Sequence, residues 1–379
     1  MHRHSEILLY GNTRDCADIY YFVGAPVHDD FFCFSLGGKK CALLSPLEVG
    51  RIRRTSSLDE VFDYSEVSAA MPAKAPKNYF AALAWLLKKR GVGRIETPWY
   101  FPVSLYGDFS AAGFKMSHRE GEFFPSRAVK TAAEIAEIRA ANNVASACFA
   151  WVEDVLRAAK ICPDGSLRNG RRHGGEILTS EFLRSGIERL ALEMGADAAD
   201  TVAAAGNQAC DPHEVGRGRI AAHSLIVVDI FPRLRRSGYF GDMTRTFLKG
   251  VPSAKQAKLV EAVRGAQLAA LGLIRGGADG AAAHAAVQKY FAEAGFETKI
   301  TRGHWGGFFH STGHGLGLEV HEAPSLGARH CVLRPGNVVT VEPGLYYRGV
   351  GACRIEDNVA VRARSAEMLS NFHYNWIID

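Results

Sequence analysis

The sequence predicts an α+β chain of two domains, a smaller N-terminal α/β domain over 1–125 and a larger one over 126–379. Three observations predict it. The length of 379 residues exceeds what a single core usually holds, at roughly 100–200 residues per domain. Pro125-Ser126 interrupts the apolar patterning, and a helix-capping signal follows at once. Beyond it the elements run helix, helix, strands, helix, helix, strands, which suits an antiparallel sheet backed by helices on one face.

In the first domain, Phe31-Phe32-Cys33-Phe34 and Cys41-Ala42-Leu43-Leu44 read as strands flanking the turn Gly37-Gly38. From Tyr79 to Arg90 the apolar residues Phe80, Leu83, Ala84 and Leu87 fall at helical spacing, and Gly91 stops the helix. In the second domain, Thr131-Ala132-Ala133-Glu134 is a capping box opening a long helix towards Ala159. Thr179 opens another helix, ending at Gly195. Ser253-Ala254-Lys255-Gln256 opens a third, to about Arg275, and Ala281 to Ala294 form a fourth, stopped by Gly295. Leu225-Ile226-Val227-Val228 reads as a short buried strand. Tyr239 to Leu248, Val338 to Tyr347 and Ala352 to Val361 read as longer strands.

Composition narrows the function. Hydrophobic residues at 47% and charged residues at 22% describe a folded globular chain. A net charge of +5 is mild at this length and gives no footprint for nucleic acid. None of the eight cysteines forms a C-x-x-C pair, which excludes a zinc ribbon or a thioredoxin-type site and argues against a disulfide framework. The start, Met1 to Glu6, is polar, and no run of 18 apolar residues occurs, so neither a signal peptide nor a membrane span is expected. A cytoplasmic protein is the expectation.

Acids and histidines on strand-like segments carry the chemistry. Asp229 closes the apolar run at 225–228, and Asp242 follows at a distance that lets a hairpin return it beside the first carboxylate. Glu342 and Glu356 each sit inside an apolar strand pattern, where an unpaired glutamate is costly. His310, His314 and His321 fall within a Gly-rich stretch where backbone can approach a ligand closely. Four converging carboxylates repel one another unless cations intervene. Two divalent ions resolve that conflict, and oxygen-rich ligands with one imidazole suit Mn²⁺ or Co²⁺, with Zn²⁺ as a further candidate. The chain contains no H-E-x-x-H, G-x-S-x-G or G-x-x-x-x-G-K-[ST] motif.

These residues resemble, in order, the motifs of the M24 metallopeptidases of the pita-bread fold: methionine aminopeptidase, aminopeptidase P, prolidase and creatinase. The resemblance rests on Asp229, Asp242 with Thr244-Arg245-Thr246, Gly313-His314-Gly315, His321-Glu322-Ala323-Pro324, Glu342-Pro343-Gly344 and Arg354-Ile355-Glu356-Asp357. It covers roughly 126–379 and, more loosely, the N-terminal domain, which methionine aminopeptidase lacks. The creatinase and prolidase type has similar stretches to Tyr21-Phe22-Val23-Gly24 and Arg94-Ile95-Glu96.

The resemblance implies a C-terminal pita-bread domain with a creatinase-type N-terminal domain. It implies that Asp229 chelates one metal, Asp242 and Glu356 bridge two, and His314 and Glu342 bind the second. His321 would hydrogen-bond the scissile carbonyl, and His213 and His310 match further active-site histidines. Arg354 would hold the bridging carboxylates or a substrate carboxylate. The implied activity is an Xaa-Pro aminopeptidase or Xaa-Pro dipeptidase, acting on peptides with proline in second position through a hydroxide shared by two metals. Glu342 would move the proton. A homodimer is expected, with no nucleic-acid or membrane partner. A creatinase-like C–N hydrolase and a non-catalytic pita-bread binding protein are the alternatives, and the complete ligand set counts against both.

Two basic stretches stand apart. Phe231-Pro232-Arg233-Leu234-Arg235-Arg236-Ser237 is longer than the family's usual turn, and its arginines would either meet an acidic substrate group or lie in solvent. Arg168 to His173 has the look of a solvated loop, and His304-Trp305 would either wall the pocket or simply pack.

Overall fold

The computed structural model describes residues 5–379, so the polar lead-in Met1–His4 lies outside the described residues. The chain divides into two compact units, one reaching Arg127 and the other running from Ala128 to Asp379.

The first unit holds a mixed six-stranded sheet, in the order Glu60–Asp63, Lys39–Leu44, Phe31–Leu36, Glu6–Gly11, Arg94–Pro98, Lys115–Arg119. Successive side chains alternate between its faces. Leu8, Phe32, Phe34 and Leu43 pack with Leu83 and Leu87 of the helix Tyr79–Lys89. Leu9, Phe31, Cys33 and Leu44 pack instead with Ile19 and Phe22, and with Ile52 of the helix Pro46–Thr55. Each fully buried Leu or Phe of this kind contributes about 1.5–3 kcal/mol.

The second unit repeats one plan twice. Helices Ala132–Ala158 and Ser180–Glu193 cover a sheet ordered Val202–Ala205, Ile226–Ile230, Met243–Lys249, Ile377–Ile378. Phe149, Val152 and Ile187 meet Ile226, Val228 and Phe247 there. Helices Ala254–Leu271 and Gly280–Glu293 cover a five-stranded sheet ordered Glu322–Leu326, Gly313–Gly315, Val338–Val341, Asp357–Val361, Ala366–Met368. Leu259, Val263 and Phe291 meet Val339, Val341 and Val359. Both capping boxes form: Thr131 with Glu134, and Ser253 with Gln256. Among the described residues no helix is long and apolar enough to cross a membrane, and all eight cysteines are free thiols.

Four boundaries differ from expectation, each for a local reason. The third helix of this unit ends at Leu271 rather than near Arg275, because Leu273 and Ile274 close tight turns onto the carbonyls of Ala270 and Leu271 in a glycine-rich segment. The strand expected from Tyr239 begins only at Met243, because Phe240 and Gly241 donate to Gly317 and Pro232 and Asp242 donates to side chains. The expected strand Val338 to Tyr347 is two strands, parted at Glu342-Pro343, where proline has no N–H to give a ladder. Ala352 to Val361 is likewise parted at Ile355-Glu356. At these joints Glu342 N–H donates to the Thr312 carbonyl and Glu356 N–H to the Thr244 carbonyl. One hairpin thus belongs first to the five-stranded sheet and then to the ribbon Gly344–Tyr347 with Gly351–Arg354.

A candidate metal centre in the second unit

Strand pairing brings the acids together. Asp229 lies inside the strand Ile226–Ile230, opposite Thr244. Asp242 stands just before the next strand, held by its backbone N–H to Asn142 Oδ1 (3.0 Å) and Asn358 Oδ1 (3.1 Å). The long helix can come this close only because residue 241 is glycine: a Cβ there would stand 2.6 Å from the Asn142 backbone nitrogen. Glu342 and Glu356 project from the two joints of the shared hairpin. His314 is on the strand Gly313–Gly315, with its Nδ1 3.1 Å from the Gly315 carbonyl. A carbonyl only accepts, so Nδ1 carries the proton and Nε2 faces the acids.

All these side chains line one cleft of about 550 Å³, as do His213, His310, His321 and Arg354. Every site residue expected from the sequence is therefore in one place. Ligand atoms of Asp242, His314 and Glu356 lie within 4.8 Å of one another. His314 Nε2 is 3.3 Å from Glu342 Oε1 and 3.7 Å from Asp242 Oδ2. The His321 ring stands edge-on to His314, with centroids 4.4 Å apart.

Arg354 ties the centre together. It donates to Asp229 Oδ2 (2.6 Å), the Tyr346 hydroxyl (3.1 Å) and Thr244 Oγ1 (3.2 Å). Thr244 donates onward to Glu356 Oε2 at 2.7 Å. The Nδ1–H of His310 is taken by the Ser311 carbonyl, so its Nε2 accepts from the Tyr346 hydroxyl at 2.9 Å. Sequence reasoning missed Tyr346. Its signal was a phenol in an apolar strand, four residues after Glu342, which needed a partner once buried.

The donor set fits a divalent cation. Asp229 Oδ1 is buried and makes no hydrogen bond. Burial first, and then neighbouring carboxylates, push the Asp242 and Glu356 carboxyls well above the usual range. Burial alone would also raise Glu342, but His314, His310 and Arg354 together hold it down at about 2. Burial opposes charge on His314 too, yet Glu342 and Asp242 raise it to about 9. Burial, before any neighbouring charge, lowers His310 and His321.

This charge arrangement predicts a pH dependence. Asp242, Glu356 and His314 all bind protons more tightly folded than unfolded. Their stabilisation is full below the unfolded carboxyl pKa near ~4 for the acids, and below ~6.5 for His314, and is lost as pH rises through the folded values. Glu342 acts oppositely, but its contribution is lost only as pH falls through about 2. His284, His310 and His321, which bind protons less tightly folded, also act oppositely, but only until the unfolded imidazole has lost its proton near ~6.5. The three raised groups thus dominate the rise from pH 6 to 8. Metal-stripped protein should therefore melt at lower temperature at pH 8 than at pH 6, and divalent metal should reverse the order, since binding favours ionised carboxylates. Calorimetry of both forms tests this; a metal-free melting temperature that rises from pH 6 to 8 contradicts it.

The arginines of the basic turn take no part in the cleft lining. Arg233 stacks over Phe240, Arg235 meets Asp197 at 3.3 Å, and Arg236 meets Glu137 at 3.0 Å. Only Phe231 of that turn lines the cleft. His304 and Trp305 are not among the lining residues, and Trp305 is exposed beside Phe309. In the other basic loop Arg172 pairs with Asp154 and Arg168 bonds the Gly175 carbonyl, while the side chain of His173 lies outside the described residues.

Known proteins resemble this chain in sequence and in fold. Residues 136–363 match the model of metallopeptidase family M24. A Bacillus subtilis (strain 168) protein described as uncharacterized peptidase YqhT is 36% identical over 218 residues, which are 54% of this chain and 56% of the relative. The Xaa-Pro dipeptidase of Pyrococcus furiosus is 31% identical over 249 residues, 64% of this chain and 63% of the relative. The matches thus span less than two thirds of these relatives' length. Among solved structures, the Xaa-Pro dipeptidase from Bacillus anthracis superposes with a TM-score of 0.83 at 25% identity, over 99% of this chain and 95% of that one. The X-Pro aminopeptidase from Thermotoga maritima MSB8 gives 0.81 at 22% identity, over 99% and 97%, a likeness of fold alone. The architecture is the pita-bread arrangement of the prolidases and aminopeptidases P. With that fold, a matching segment that includes every acid and histidine of the cleft, and donors that fit a divalent metal, the chain belongs to metallopeptidase family M24.

Proposed function

We propose that this protein is a two-metal exopeptidase that hydrolyses the bond between an N-terminal residue and proline, as an Xaa-Pro aminopeptidase or an Xaa-Pro dipeptidase. The observation that carries the reading is the convergence of four carboxylates and His314 in one cleft whose lining also holds His213, His310 and His321.

Asp229 would hold one ion, Asp242 and Glu356 would lie between two, and His314 and Glu342 would hold the second. Mn²⁺ suits this set, followed by Co²⁺ and Zn²⁺. Bound there, the ions supply Lewis acidity and a water of lowered pKa. Glu342, kept ionised, accepts the proton of the attacking water and returns it to the leaving nitrogen. His321 donates to the carbonyl oxygen as negative charge develops, an effect worth ~3–4 kcal/mol per donor. His213 contacts the substrate from the same cleft. His310 and Tyr346 hold Arg354, and Arg354 fixes Asp229. Val202, Val215, Phe231 and Val320 give the cleft apolar wall against which a pyrrolidine ring can rest.

Mass-spectrometric product analysis tests the reading. Metal-stripped protein reloaded with Mn²⁺ should release the residue preceding proline from Xaa-Pro dipeptides, longer Xaa-Pro peptides, or both. Whichever disappears assigns the branch. Intact substrates alongside two bound metals per chain would overturn the reading and favour another C–N bond.

A further inference from the structure

Lys130 and Glu322 form a buried ion pair beside the cleft but outside its lining. The ammonium and carboxylate are 2.8 Å apart, with side-chain exposures of 1% and 5%. Lysine and glutamate are almost never buried this completely, so the pair needs a reason beyond packing.

The reason lies in what the glutamate holds. Its other oxygen, Oε1, accepts the backbone N–H groups of Leu318 (2.9 Å) and Glu319 (3.1 Å). Those donors open the turn that carries His321, and Glu322 closes it by pairing with Gly315 across the strands. The carboxylate therefore ties together both ends of a turn whose exposed passenger is His321. Residue 317 is glycine where the carboxylate passes: a Cβ there would stand 2.6 Å from Glu322 Oε2. Lys130 is itself anchored, its backbone N–H donating to the Gly336 carbonyl at 2.8 Å just before the strand Val338–Val341. Asn337 Nδ2 adds a bond to the Ala128 carbonyl at 2.7 Å. A fixed cation thus holds a fixed anion, which in turn sets the turn.

We propose that Lys130 is a positioning residue, which acts through Glu322 to aim His321 at the reacting carbonyl. This rests on the peptidase reading for its kinetic consequence, but not for its structural one. Truncating the lysine alone removes the cation 2.8 Å from a buried carboxylate and leaves its charge in place, so the informative variant is the neutral pair Lys130→Met with Glu322→Gln, alongside the conservative Lys130→Arg.

The experiment is a coupling cycle with His321→Ala. In the wild-type background, the neutral pair should lower kcat about tenfold, with KM changed less than twofold and metal content intact. Lys130→Arg should recover most of that loss. In the His321→Ala background the same pair should change kcat less than twofold, because the residue being aimed is gone. Equal losses in both backgrounds, or wild-type kcat in the neutral pair, would overturn the proposal.

Hydrogen exchange at Leu318 and Glu319 gives a second readout that needs no turnover. Exchange there should accelerate at least tenfold in the neutral pair and stay near wild type in Lys130→Arg. Unchanged exchange refutes the holding role. Should the wild type cleave no Xaa-Pro peptide, the peptidase reading falls, and the exchange data alone decide whether Lys130 sets this turn.

Discussion

Replacing Asp242 with asparagine should reduce turnover on Xaa-Pro peptides by about 10³-fold or more, while the metal-free protein stays folded. The catalytic loss follows from charge. If Asp242 lies between two cations, an amide there removes the anionic bridge, and ~4 kcal/mol of lost transition-state stabilisation corresponds to about three decades of rate. The fold should survive because asparagine has nearly the same shape. The residue is 3% exposed, and burial already disfavours its ionised form, so a neutral side chain removes an unfavourable charge. Its backbone bonds to Asn142 and Asn358 do not involve the side chain. The check is kcat together with metal stoichiometry by mass spectrometry and a melting curve. Wild-type turnover with two metals bound would remove Asp242 from the centre of the chemistry.

The second large effect is on stability. Arg354→Met should cost about 3–5 kcal/mol, as when one partner of a buried ion pair is removed. Asp229 would lose its 2.6 Å partner, and the Tyr346 hydroxyl and Thr244 would each lose a donor. Against a total of roughly 5–15 kcal/mol for a native domain, that is a large share. Arg354→Lys should fall between, because an ammonium cannot reach three acceptors with the planar geometry of a guanidinium. Urea unfolding of metal-free protein measures it. A methionine variant within about 1 kcal/mol of wild type would show that the arginine network adds little, well below a single broken buried pair.

Much of the site was legible in the sequence because metal chemistry selects residue types that are otherwise costly. Asp229, Glu342 and Glu356 stand out because packing alone gives no cause for an acid inside an apolar strand pattern. The capping boxes at Thr131 and Ser253 were legible because their hydrogen bonds are local. What could not be read depends on partners distant in sequence. Arg235 and Arg236 were open to an acidic substrate group or to solvent; at the surface Asp197 and Glu137 pair with them, and nothing near the turn announces those acids. Lys130 lies in an ordinary-looking Val-Lys-Thr stretch, and its buried partner stands 192 residues away. The strand breaks at Glu342 and Glu356 escaped notice for two different local reasons. At the first joint Pro343-Gly344 was the overlooked signal, whereas the second carries no proline or glycine and lies in chain that is buried on both sides of it.

Those joints also bear on folding. Side chains of a strand alternate between faces, so a slip of one residue in the pairing of Val338–Val341 with Asp357–Val361 turns every one of them over. Glu342 and Glu356 flank that pairing and would turn with it. A misregistered molecule could still hide many of its apolar residues, but it would present no matched pair of carboxylates. Metal uptake would therefore test register, and a cation held there would act as an inspector of the finished hairpin as well as a reagent.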